Sequence, residues 1–450
     1  DNEDYEFKVI SSAYVDIENI NVAPSKGILN RTIDPKSVPF IYGAEYNQNS
    51  FFPGNLVQSG TPYIMRDFRG QAITVFPVQY NPVTKILRIY TSINIAITKT
   101  ATKNINVISR TSAPAAINEI FNSVYKNHFI NFSEINSTKY TPITETGNML
   151  IICHGAFMDA MQPFVLWKKQ KGISTEIVNV STIGNNASAI KSYVANYYNQ
   201  NGLAYLLLVG DHAQVNTSST SAGDSDQDYG YILGSDHYAD ILVGRFSAEN
   251  ITDVQVQVEK VITYERDLDH TDTWLNIATG IASDEGGNGQ GDLGESDVIH
   301  MNFIRDTLLH YGYASVDQIY DPGASASNLA TVLNSGRGII DYVGHGSDNS
   351  FVTTGFNNTN VNQLTNIDKL PYIFSVACVN GNFKTQTCFA EAWLRANISG
   401  KPIGAVATMM STINQSWNSP MCGQDEMVRL TTHTQDRKST RLNSSHGYIS

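Results

Sequence analysis

Two stretches of the sequence decide the fold, GIIDYVGHGS at residues 338–347 and LPYIFSVACVNG at residues 370–381. Each is a short apolar run followed by Gly and polar residues, which is typical of a buried strand that leaves its sheet at a tight turn. The first run ends near His345 and the second near Cys378. About one strand–helix–strand step separates the two residues, so both are expected at the same edge of a parallel sheet.

The alternation of apolar strands with amphipathic helices begins at about Tyr140. Helical segments such as ASAIKSYVANYYNQ and SDVIHMNFIRDTLLHYG separate the strand-like runs. This pattern predicts an α/β fold with a mostly parallel sheet covered on both faces. Functional residues of such sheets lie beyond the carboxyl ends of the strands. The polar residues at these ends are Asp211, Asp284, Glu285, His345, Cys378 and Ser411.

The first part of the chain has a different pattern. Runs such as YEFKVISSAYVDI and KILRIYTSINIAI are broken by Gly, Pro and Asn, which predicts an antiparallel β-rich domain over residues 1–112. Residues 113–139 are less regular and are predicted as a linker with a short helix. Residues 140–435 form the predicted α/β domain. The stretch DRKSTRLNSSHGYIS, residues 436–450, is polar and patternless, and we interpret it as a non-native tail.

The composition is typical of a soluble globular protein, with 41% hydrophobic and 16% charged residues. The net charge of −12 argues against nucleic acid or an anionic membrane as the main partner. Four cysteines in 450 residues cannot build a disulfide scaffold, and without a CxxC pair a zinc site is not expected. No apolar run reaches the roughly 18 residues that a transmembrane helix needs.

Cys378 and His345 are candidates for nucleophilic catalysis. A cysteine attacks as its thiolate, and a neighbouring imidazole supplies the base. Gly344 and Gly346 let the chain turn sharply around the His, and backbone N–H groups near Gly346 and Cys378 are candidates for an oxyanion site. A single Cys at a strand end more often packs in a core, so the residues alone leave both interpretations open.

Another Cys–His pair, Cys153 and His154 in IICHG, lies at a different strand end. Adjacent residues of a strand point to opposite faces, so this pair is poorly placed to react together. Cys388 opens the amphipathic segment CFAEAWLRA and is expected to pack against the core.

The motifs GHGS, SVACVNGNF, CFAEAWLRA and STINQSWNSPMCGQDEM together resemble the gingipains, a family of secreted bacterial cysteine peptidases. The resemblance runs from about Tyr140 to Met427 and is closest to the arginine-specific branch, and the β-rich first half resembles the gingipain propeptide. It implies a caspase-like α/β sandwich preceded by the propeptide domain.

The resemblance also implies roles for individual residues. Cys378 becomes the nucleophile, His345 the general base and acid, and Glu285 in ASDEGG the acid that orients the His. Asp284 is the local rival of Glu285. A solvated carboxylate in a Gly-rich loop is the ordinary alternative for either residue.

Arginine specificity follows from a buried carboxylate, because a guanidinium is best recognised by a planar bidentate partner. The resemblance places Asp297 at the bottom of the specificity pocket, Trp417 at its wall and Met421 near its floor. Ser296 and Asp297 are also typical of a helix start, where an acid is favoured by the helix dipole. By composition alone, Trp417 would be assigned to the core.

Calcium is expected as a structural ion. Asp211, Asp236 and Asp240 offer hard oxygen ligands from two loops, and the resemblance adds main-chain oxygens of Leu233 and Tyr238. Loop acids are common, however, and no EF-hand spacing supports the site.

The chain departs from the family pattern at several points. The propeptide junction is expected before Tyr140, where Lys139 stands instead of Arg, so maturation by another protease, tolerance of Lys, or a cut at Arg110 remain open. Asn382 stands where the family often has Asp, and Glu391 is a weak candidate for a further ion site. The end of the catalytic domain and the secretion signal are expected to lie outside this chain.

The sequence therefore predicts the latent pro-form of a cysteine endopeptidase that cuts proteins or peptides after Arg, with Lys as an open second choice. Its own propeptide is the expected inhibitor, and the bacterial cell surface or exterior the expected location. A sortase-like transpeptidase with the same dyad is one alternative, and a non-catalytic surface or adhesion protein on the same scaffold is another.

Overall fold

The computed structural model describes residues 3–100, 105–109, 116–132, 143–286, 290–291 and 293–432. They form two compact units. The first unit comprises Asp1–Lys26, Val38–Gly147 and Gly230–Leu242, and the second comprises Gly27–Ser37, Asn148–Tyr229 and Val243–Ser450.

The two units interleave along the chain, whereas the sequence analysis divided it at one linker. Residues 27–37, from the β-rich first part, belong to the second unit, and residues 230–242, from the α/β part, belong to the first. The predicted junction residues Arg110, Lys139 and Tyr140 and the tail 436–450 lie outside the described residues.

The first unit is rich in strands. They are β1 (Asp4–Ile17), β2 (Val57–Ser59), β3 (Tyr63–Met65), β4 (Phe68–Gly70), β5 (Ile73–Val75), β6 (Val78–Asn81), β7 (Ile86–Thr100), β8 (Ala116–Asn118) and β9 (Ile143–Glu145). The sheet β1-β7-β6 is antiparallel, as the alternating sequence predicts. Helix α1 (Glu119–His128) begins at Asn118, whose side chain accepts hydrogen bonds from the N–H groups of Ile120 and Phe121.

The second unit alternates strands and helices. Its strands are β10 (Asn148–Cys153), β11 (Ser174–Asn179), β12 (Leu203–Val209), β13 (Ser218–Thr220), β14 (Gly223–Ser225), β15 (Leu242–Phe246), β16 (Ile277–Ala282), β17 (Ser315–Tyr320), β18 (Ile339–Val343), β19 (Gly346–Ser347), β20 (Ser350–Phe351), β21 (Phe356–Asn357), β22 (Tyr372–Val376), β23 (Asn397–Ile398), β24 (Lys401–Pro402) and β25 (Ala407–Met409). Its α-helices are α2 (Gln162–Gln170), α3 (Val180–Ile183), α4 (Ala187–Asn201), α5 (Ile251–Ile262), α6 (Asp297–Tyr311), α7 (Ala326–Ser335), α8 (Asn358–Val361), α9 (Phe389–Arg395) and α10 (Asn418–Thr431).

Two sheets organise this unit. The first sheet has the order β11-β10-β12-β15 and the second has the order β17-β16-β18-β22-β25. In the second sheet β16, β18, β22 and β25 follow one another as parallel neighbours. The predicted parallel α/β architecture is confirmed, with the strands divided between two sheets.

Helices cover both faces of the second sheet because its central strands are apolar on both sides. Ile340 and Tyr342 of β18 face a core built with α7, α8 and α9, while Ile339 and Val343 face a core built with α6 and α10. Each buried aliphatic side chain of this kind contributes roughly 1.5–3 kcal/mol to stability. Among the described residues, no helix has the length and apolar composition needed to cross a membrane.

Candidate active site

The turns that follow β18 and β22 carry the predicted dyad. Val343 pairs with Val376 in the parallel register, and His345 and Cys378 each follow two residues later. The two turns touch, since a Cβ added at Gly346 would lie 2.2 Å from the carbonyl oxygen of Cys378. Position 346 therefore requires a glycine, because any side chain there would collide with the backbone of the turn that carries Cys378. The oxyanion role of Gly346 and Cys378 stays a prediction.

The Cys378 thiol lies in a nearly buried bend. Only 3% of the residue is exposed, and its Sγ accepts a hydrogen bond from the N–H of Gln415 at 3.3 Å. Burial raises the pKa of the thiol, and the Gln415 N–H and the charge of Arg31 partly offset this rise. The next residue, Val379, has a φ of +51°, which is strained for a β-branched side chain.

The buried residue Asn380 joins the Cys turn to the His turn. Its Nδ2 donates to the carbonyl oxygens of Ser347 and Ser350 at 2.7 and 2.9 Å, and its Oδ1 accepts from Ser375 Oγ at 2.9 Å. Three hydrogen bonds of one amide thus fix the hairpin after His345 against the chain after Cys378. No role of Asn380 could be predicted from the sequence.

Glu285 is in contact with His345. His345 Nε2 and Glu285 Oε2 are 2.5 Å apart, and both side chains are partly exposed. The structure thus brings Glu285, rather than its neighbour Asp284, to the imidazole. A carboxylate in this position can hold the ring in one orientation and balance its positive charge.

The predicted specificity acid, Asp297, lies fully buried at the first position of α6. Its Oδ2 accepts a hydrogen bond from Ser283 Oγ at 2.7 Å, and its backbone N–H donates to the Glu285 carbonyl at 3.1 Å. Gly286, with φ of +81°, lies between Asp297 and Trp417, and a Cβ there would lie 3.4 Å from the Trp417 ring. Asp297, Gly286 and Trp417 therefore lie together at the predicted specificity pocket, and their contact with a substrate stays a prediction.

Arg31 occupies this pocket. Its Nη1 and Nη2 donate to Asp297 Oδ2 and Oδ1 at 3.0 and 3.2 Å, and the guanidinium lies 4.6 Å from the centre of a Trp417 ring. Both charged side chains are completely buried. A bidentate carboxylate and an aromatic face are the two contacts that select Arg over Lys.

The backbone around Arg31 pairs with the chain after β25. Arg31 N–H donates to the Gln415 carbonyl at 2.9 Å, and Trp417 N–H donates to the Leu29 carbonyl at 3.0 Å. Asn30 and Ser416 form the antiparallel bridge between these two bonds. The segment therefore pairs with residues 415–417 through one isolated antiparallel bridge, and backbone pairing of this kind is a common way for proteins to bind extended peptides.

Residues 30–33 form a tight turn that includes Arg31. Ile33 N–H donates to the Asn30 carbonyl at 2.9 Å, which makes Arg31 the second residue of a four-residue turn. The Asn30 side chain reinforces it by accepting from Thr32 N–H and Thr32 Oγ1, each at 3.0 Å. Trp417 Nε1 donates to the Ile33 carbonyl at 3.3 Å.

Comparison with known proteins gives the family. The model of peptidase family C25 matches residues 143–443, and the model of the C25 propeptide matches residues 1–139. The chain belongs to peptidase family C25. The predicted resemblance to the gingipains and the predicted order of propeptide before peptidase are thereby confirmed.

Known members of family C25 share much of the sequence. Gingipain R1 of Porphyromonas gingivalis is 43% identical over 96% of this chain and 43% of its own length. Gingipain R2 of the same species is 43% identical over 94% of this chain and 58% of its own length. The chain thus spans about half of these relatives. Lys-gingipain is 27% identical over 88% of this chain.

Two solved structures agree with the C25 assignment. One is the complex of the Porphyromonas gingivalis RgpB pro- and mature domains, with 44% identity, a TM-score of 0.62, and coverage of 64% of this chain and 69% of that chain. The other is the Arg-specific cysteine proteinase gingipain R, with 43% identity, a TM-score of 0.62, and coverage of 64% and 67%.

Met421, predicted near the pocket floor, lies in α10 one turn after Trp417. It is fully buried in the core that also contains Ala282, Val343 and Val376. Met421 therefore packs against β16, β18 and β22, the strands that precede Glu285, His345 and Cys378, and its contact with substrate stays a prediction.

The five predicted calcium ligands divide between the two units. Asp211 belongs to the second unit, and Leu233, Asp236, Tyr238 and Asp240 belong to the first. Asp211 Oδ2 accepts a hydrogen bond from Arg395 Nη2 at 3.1 Å.

The other two carboxylates also accept N–H donors. Asp236 accepts from the N–H groups of Ile64 and Tyr238, and Asp240 accepts from those of Arg66, Ile232 and Leu233. Among the described residues, no group of three or more His, Cys, Asp or Glu side chains is arranged to hold a metal ion. These contacts do not fit a calcium site as they stand, and calcium binding stays a prediction.

Glu391, the weak candidate for a further ion site, contacts three neighbouring groups, and ion binding there stays a prediction. Its carboxylate accepts from Ser247 Oγ at 2.5 Å, from Arg395 Nη2 at 2.7 Å and from Cys388 N–H at 2.7 Å. Asn382 donates to Asp348 Oδ1 at 2.9 Å. Both residues therefore make protein contacts that account for their positions.

Proposed function

We propose that the chain is the latent pro-form of a cysteine endopeptidase that cuts peptide bonds after arginine. The observation that carries the proposal is the burial of Arg31 against Asp297 and Trp417, beside the thiol of Cys378. The names of the relatives support it, since they include gingipain R and an Arg-specific cysteine proteinase. The bidentate contact of the chain's own Arg31 with Asp297 supports an arginine side chain as the preferred occupant.

The chemistry follows from the two adjoining turns. His345 takes the proton of the Cys378 thiol, and the thiolate attacks the carbonyl carbon of the substrate arginine. The imidazolium then gives the proton to the leaving amine, which departs and leaves an acyl-enzyme. Water, deprotonated by His345, attacks the thioester and releases the carboxylic acid and the thiol. Glu285 holds the ring in place through both steps.

Arginine selection follows from the charge and shape of the pocket. Asp297 presents both carboxylate oxygens to a planar guanidinium, and the Trp417 face covers that plane. A lysine ammonium is a compact point charge that cannot make the parallel pair of bonds. The proposal is therefore a strong preference for Arg over Lys.

Latency follows from the same contacts. Arg31 takes the place of the substrate side chain, so the pocket is closed to other arginines. The turn locked by Asn30 reverses the chain directly after Arg31, whereas a peptide to be cut continues through the site in extended form. The segment thus binds as a substrate does up to Arg31 and departs from a substrate after it.

Secretion and a place at the bacterial surface are proposed with this function, as for the gingipains that the chain resembles. A sortase-like transpeptidase would use the same dyad but would transfer the acyl group to an amine.

The decisive experiment compares the chain with its Arg31→Ala variant on matched peptides that differ only in Arg, Lys or citrulline at the cut. We expect R31A to cleave the Arg peptide and the unchanged chain to cleave it at least about tenfold more slowly, with Cys378→Ala inactive in both backgrounds. Product masses distinguish hydrolysis from transfer to an added amine. Absence of Arg cleavage by folded R31A would overturn the proposal.

The role of the turn is tested with Asn30→Ala, which removes the two side-chain bonds to Thr32 and keeps Arg31. We expect self-cleavage between Arg31 and Thr32 to appear in N30A and to be absent in N30A/C378A, as read by intact-mass spectrometry. The control variant is Asp269→Ala, since Asp269 accepts from Thr271 N–H and Thr271 Oγ1 in the same way on an exposed turn elsewhere in the chain. An N30A chain that stays uncut and latent would show that the side-chain bonds of Asn30 are not needed to protect the Arg31–Thr32 bond.

A further inference from the structure

Ser283 connects three parts of the site. It directly follows β16 and is only 4% exposed. Its N–H donates to the Val343 carbonyl at 3.1 Å, at the end of the strand that leads to His345. Its Oγ donates to Asp297 Oδ2 at 2.7 Å and accepts from Glu285 N–H at 3.3 Å.

The direction of the Ser283 hydroxyl is fixed by these partners. A hydroxyl has one hydrogen to donate, and an ionised carboxylate can only accept, so the hydrogen points to Asp297. The Glu285 N–H can only donate, so it takes a lone pair of the same oxygen. Asp297 Oδ2 then accepts from both Ser283 Oγ and Arg31 Nη1, while Oδ1 accepts from Arg31 Nη2.

This arrangement restricts rotation of the Asp297 carboxylate about its terminal bond. A carboxylate held by the pocket arginine alone would be free to turn when that arginine leaves. The Ser283 bond keeps one oxygen in place and partly compensates the buried charge of an empty pocket. Both effects favour a bidentate guanidinium and give less advantage to an ammonium.

We infer that Ser283 is a positioning residue for arginine specificity, which it sets by orienting Asp297. The inference rests on the proposed function and deepens it. Ser283 does not touch the reacting atoms. Ser283 also accepts from the N–H of Glu285, whose carboxylate contacts His345, so one side chain contacts both the predicted specificity acid and the acid beside the imidazole.

The matched pair for the test is Ser283→Thr and Ser283→Val, because Thr and Val have nearly the same shape and differ in the hydroxyl. Each is compared in the R31A background on the Arg and Lys peptides. Loss of one hydrogen bond to a charged group is expected to lower kcat/KM for Arg by about 10- to 100-fold in S283V relative to S283T, chiefly through KM. Cleavage after Lys is expected to change less, so the Arg-to-Lys ratio falls.

The control is Thr279→Val, which removes a hydroxyl that donates to Asp317 Oδ2 at 2.7 Å from the same strand, β16. A general loss of strand stability would affect T279V as much as S283V. An Arg-to-Lys ratio that is equal in S283V and S283T, or that falls equally in T279V, would overturn the inference. Failure of the proposed function would show separately, as absence of Arg cleavage in R31A itself.

A second measurement needs no catalysis. In the C378A chain, Arg31→Ala is combined with S283T or S283V, and the unfolding equilibrium is measured in urea. If Ser283 and Arg31 act on the same Asp297 carboxylate, the two substitutions are not additive, and the factor by which R31A changes the unfolding constant differs at least about tenfold between S283V and S283T. An equal effect of R31A in both backgrounds would contradict the inference.

Discussion

Each sheet of the second unit has a strand that leads to a cysteine, but among the described residues the His345–Glu285 contact lies beside the cysteine of the second sheet. β10 of the first sheet ends at Cys153 followed by His154, and that thiol is fully buried and donates to the His154 carbonyl. Burial raises the pKa of the Cys153 thiol to about 12. Cys378 in the second sheet is also buried, but a backbone N–H and a positive charge oppose the rise of its pKa.

The acids near the two sheets differ in a similar way. Asp211, after the first sheet, binds Arg395, which also binds Glu391 in the same buried network. Asp297, after the second, binds an arginine from a distant segment of the chain. Both acids are thus paired, and the difference lies in the partner: Arg395 belongs to α9 of the α/β unit, whereas Arg31 belongs to the part of the chain that matches the C25 propeptide.

The sharpest test of this contrast exchanges the two thiols in turn for alanine. Cys378→Ala in the R31A chain is expected to lower kcat/KM for the Arg peptide at least about 1,000-fold, because the nucleophile is lost. Cys153→Ala is expected to keep it within about threefold and to lower stability by roughly 0.5–3 kcal/mol. A Cys153→Ala variant that is folded but inactive would abolish the distinction between the sheets.

The two acids give the next largest effect. Asp297→Asn is expected to lower Arg cleavage by about 100-fold, since a buried bidentate ion pair is lost. Asp211→Asn is expected to lower thermal stability and leave the Arg-to-Lys ratio unchanged. Steady-state kinetics on both peptides, beside a melting curve for each variant, separates the two outcomes. A changed ratio in D211N would mean that the first sheet contributes to specificity.

The chain after β16 carries two neighbouring acids, Asp284 and Glu285, whose effects on catalysis can be compared directly. Glu285→Gln is expected to lower kcat roughly tenfold with little change in KM, because the imidazole loses a charged partner that orients it. Asp284→Asn is the matched control and is expected to keep kcat within about twofold. Equal losses in the two variants would point to loop charge rather than to contact with His345.

The smallest expected effect concerns calcium. If the predicted ligands bind it, adding millimolar Ca²⁺ after treatment with EGTA raises the melting temperature by a few degrees, because a ligand bound only by the folded state stabilises it. Mg²⁺ at the same concentration is the control. An unchanged melting curve would leave the N–H contacts of Asp211, Asp236 and Asp240 as the full account of these acids.

The central strands could be predicted because they are buried on both faces and are therefore nearly continuous in apolar residues. The edge strands β11 and β17 were not predicted, since STEIVN and SVDQIY mix buried, half-buried and exposed residues and contain no continuous apolar run. Such runs resemble loops or amphipathic segments in sequence.

The site was predictable in part for a similar reason. Strand ends identify His345 and Cys378 as neighbours, and the family resemblance adds Asp297 and Glu285. Nothing local identifies Arg31, because its partner is 266 residues away in the sequence. Ser283 and Asn380 were also missed, since each acts through hydrogen bonds that only the folded backbone defines.

The membership of Gly27–Ser37 in the second unit makes latency a matter of effective concentration. In the proposed latent form the segment is tethered, so Arg31 would compete with substrate at an effective concentration on the order of millimolar, however dilute the protein is. Cleavage on both sides of this segment would release it as a free peptide, and the fraction of pockets that it occupies would then fall with dilution. Release into a large volume would then complete activation that proteolysis had begun.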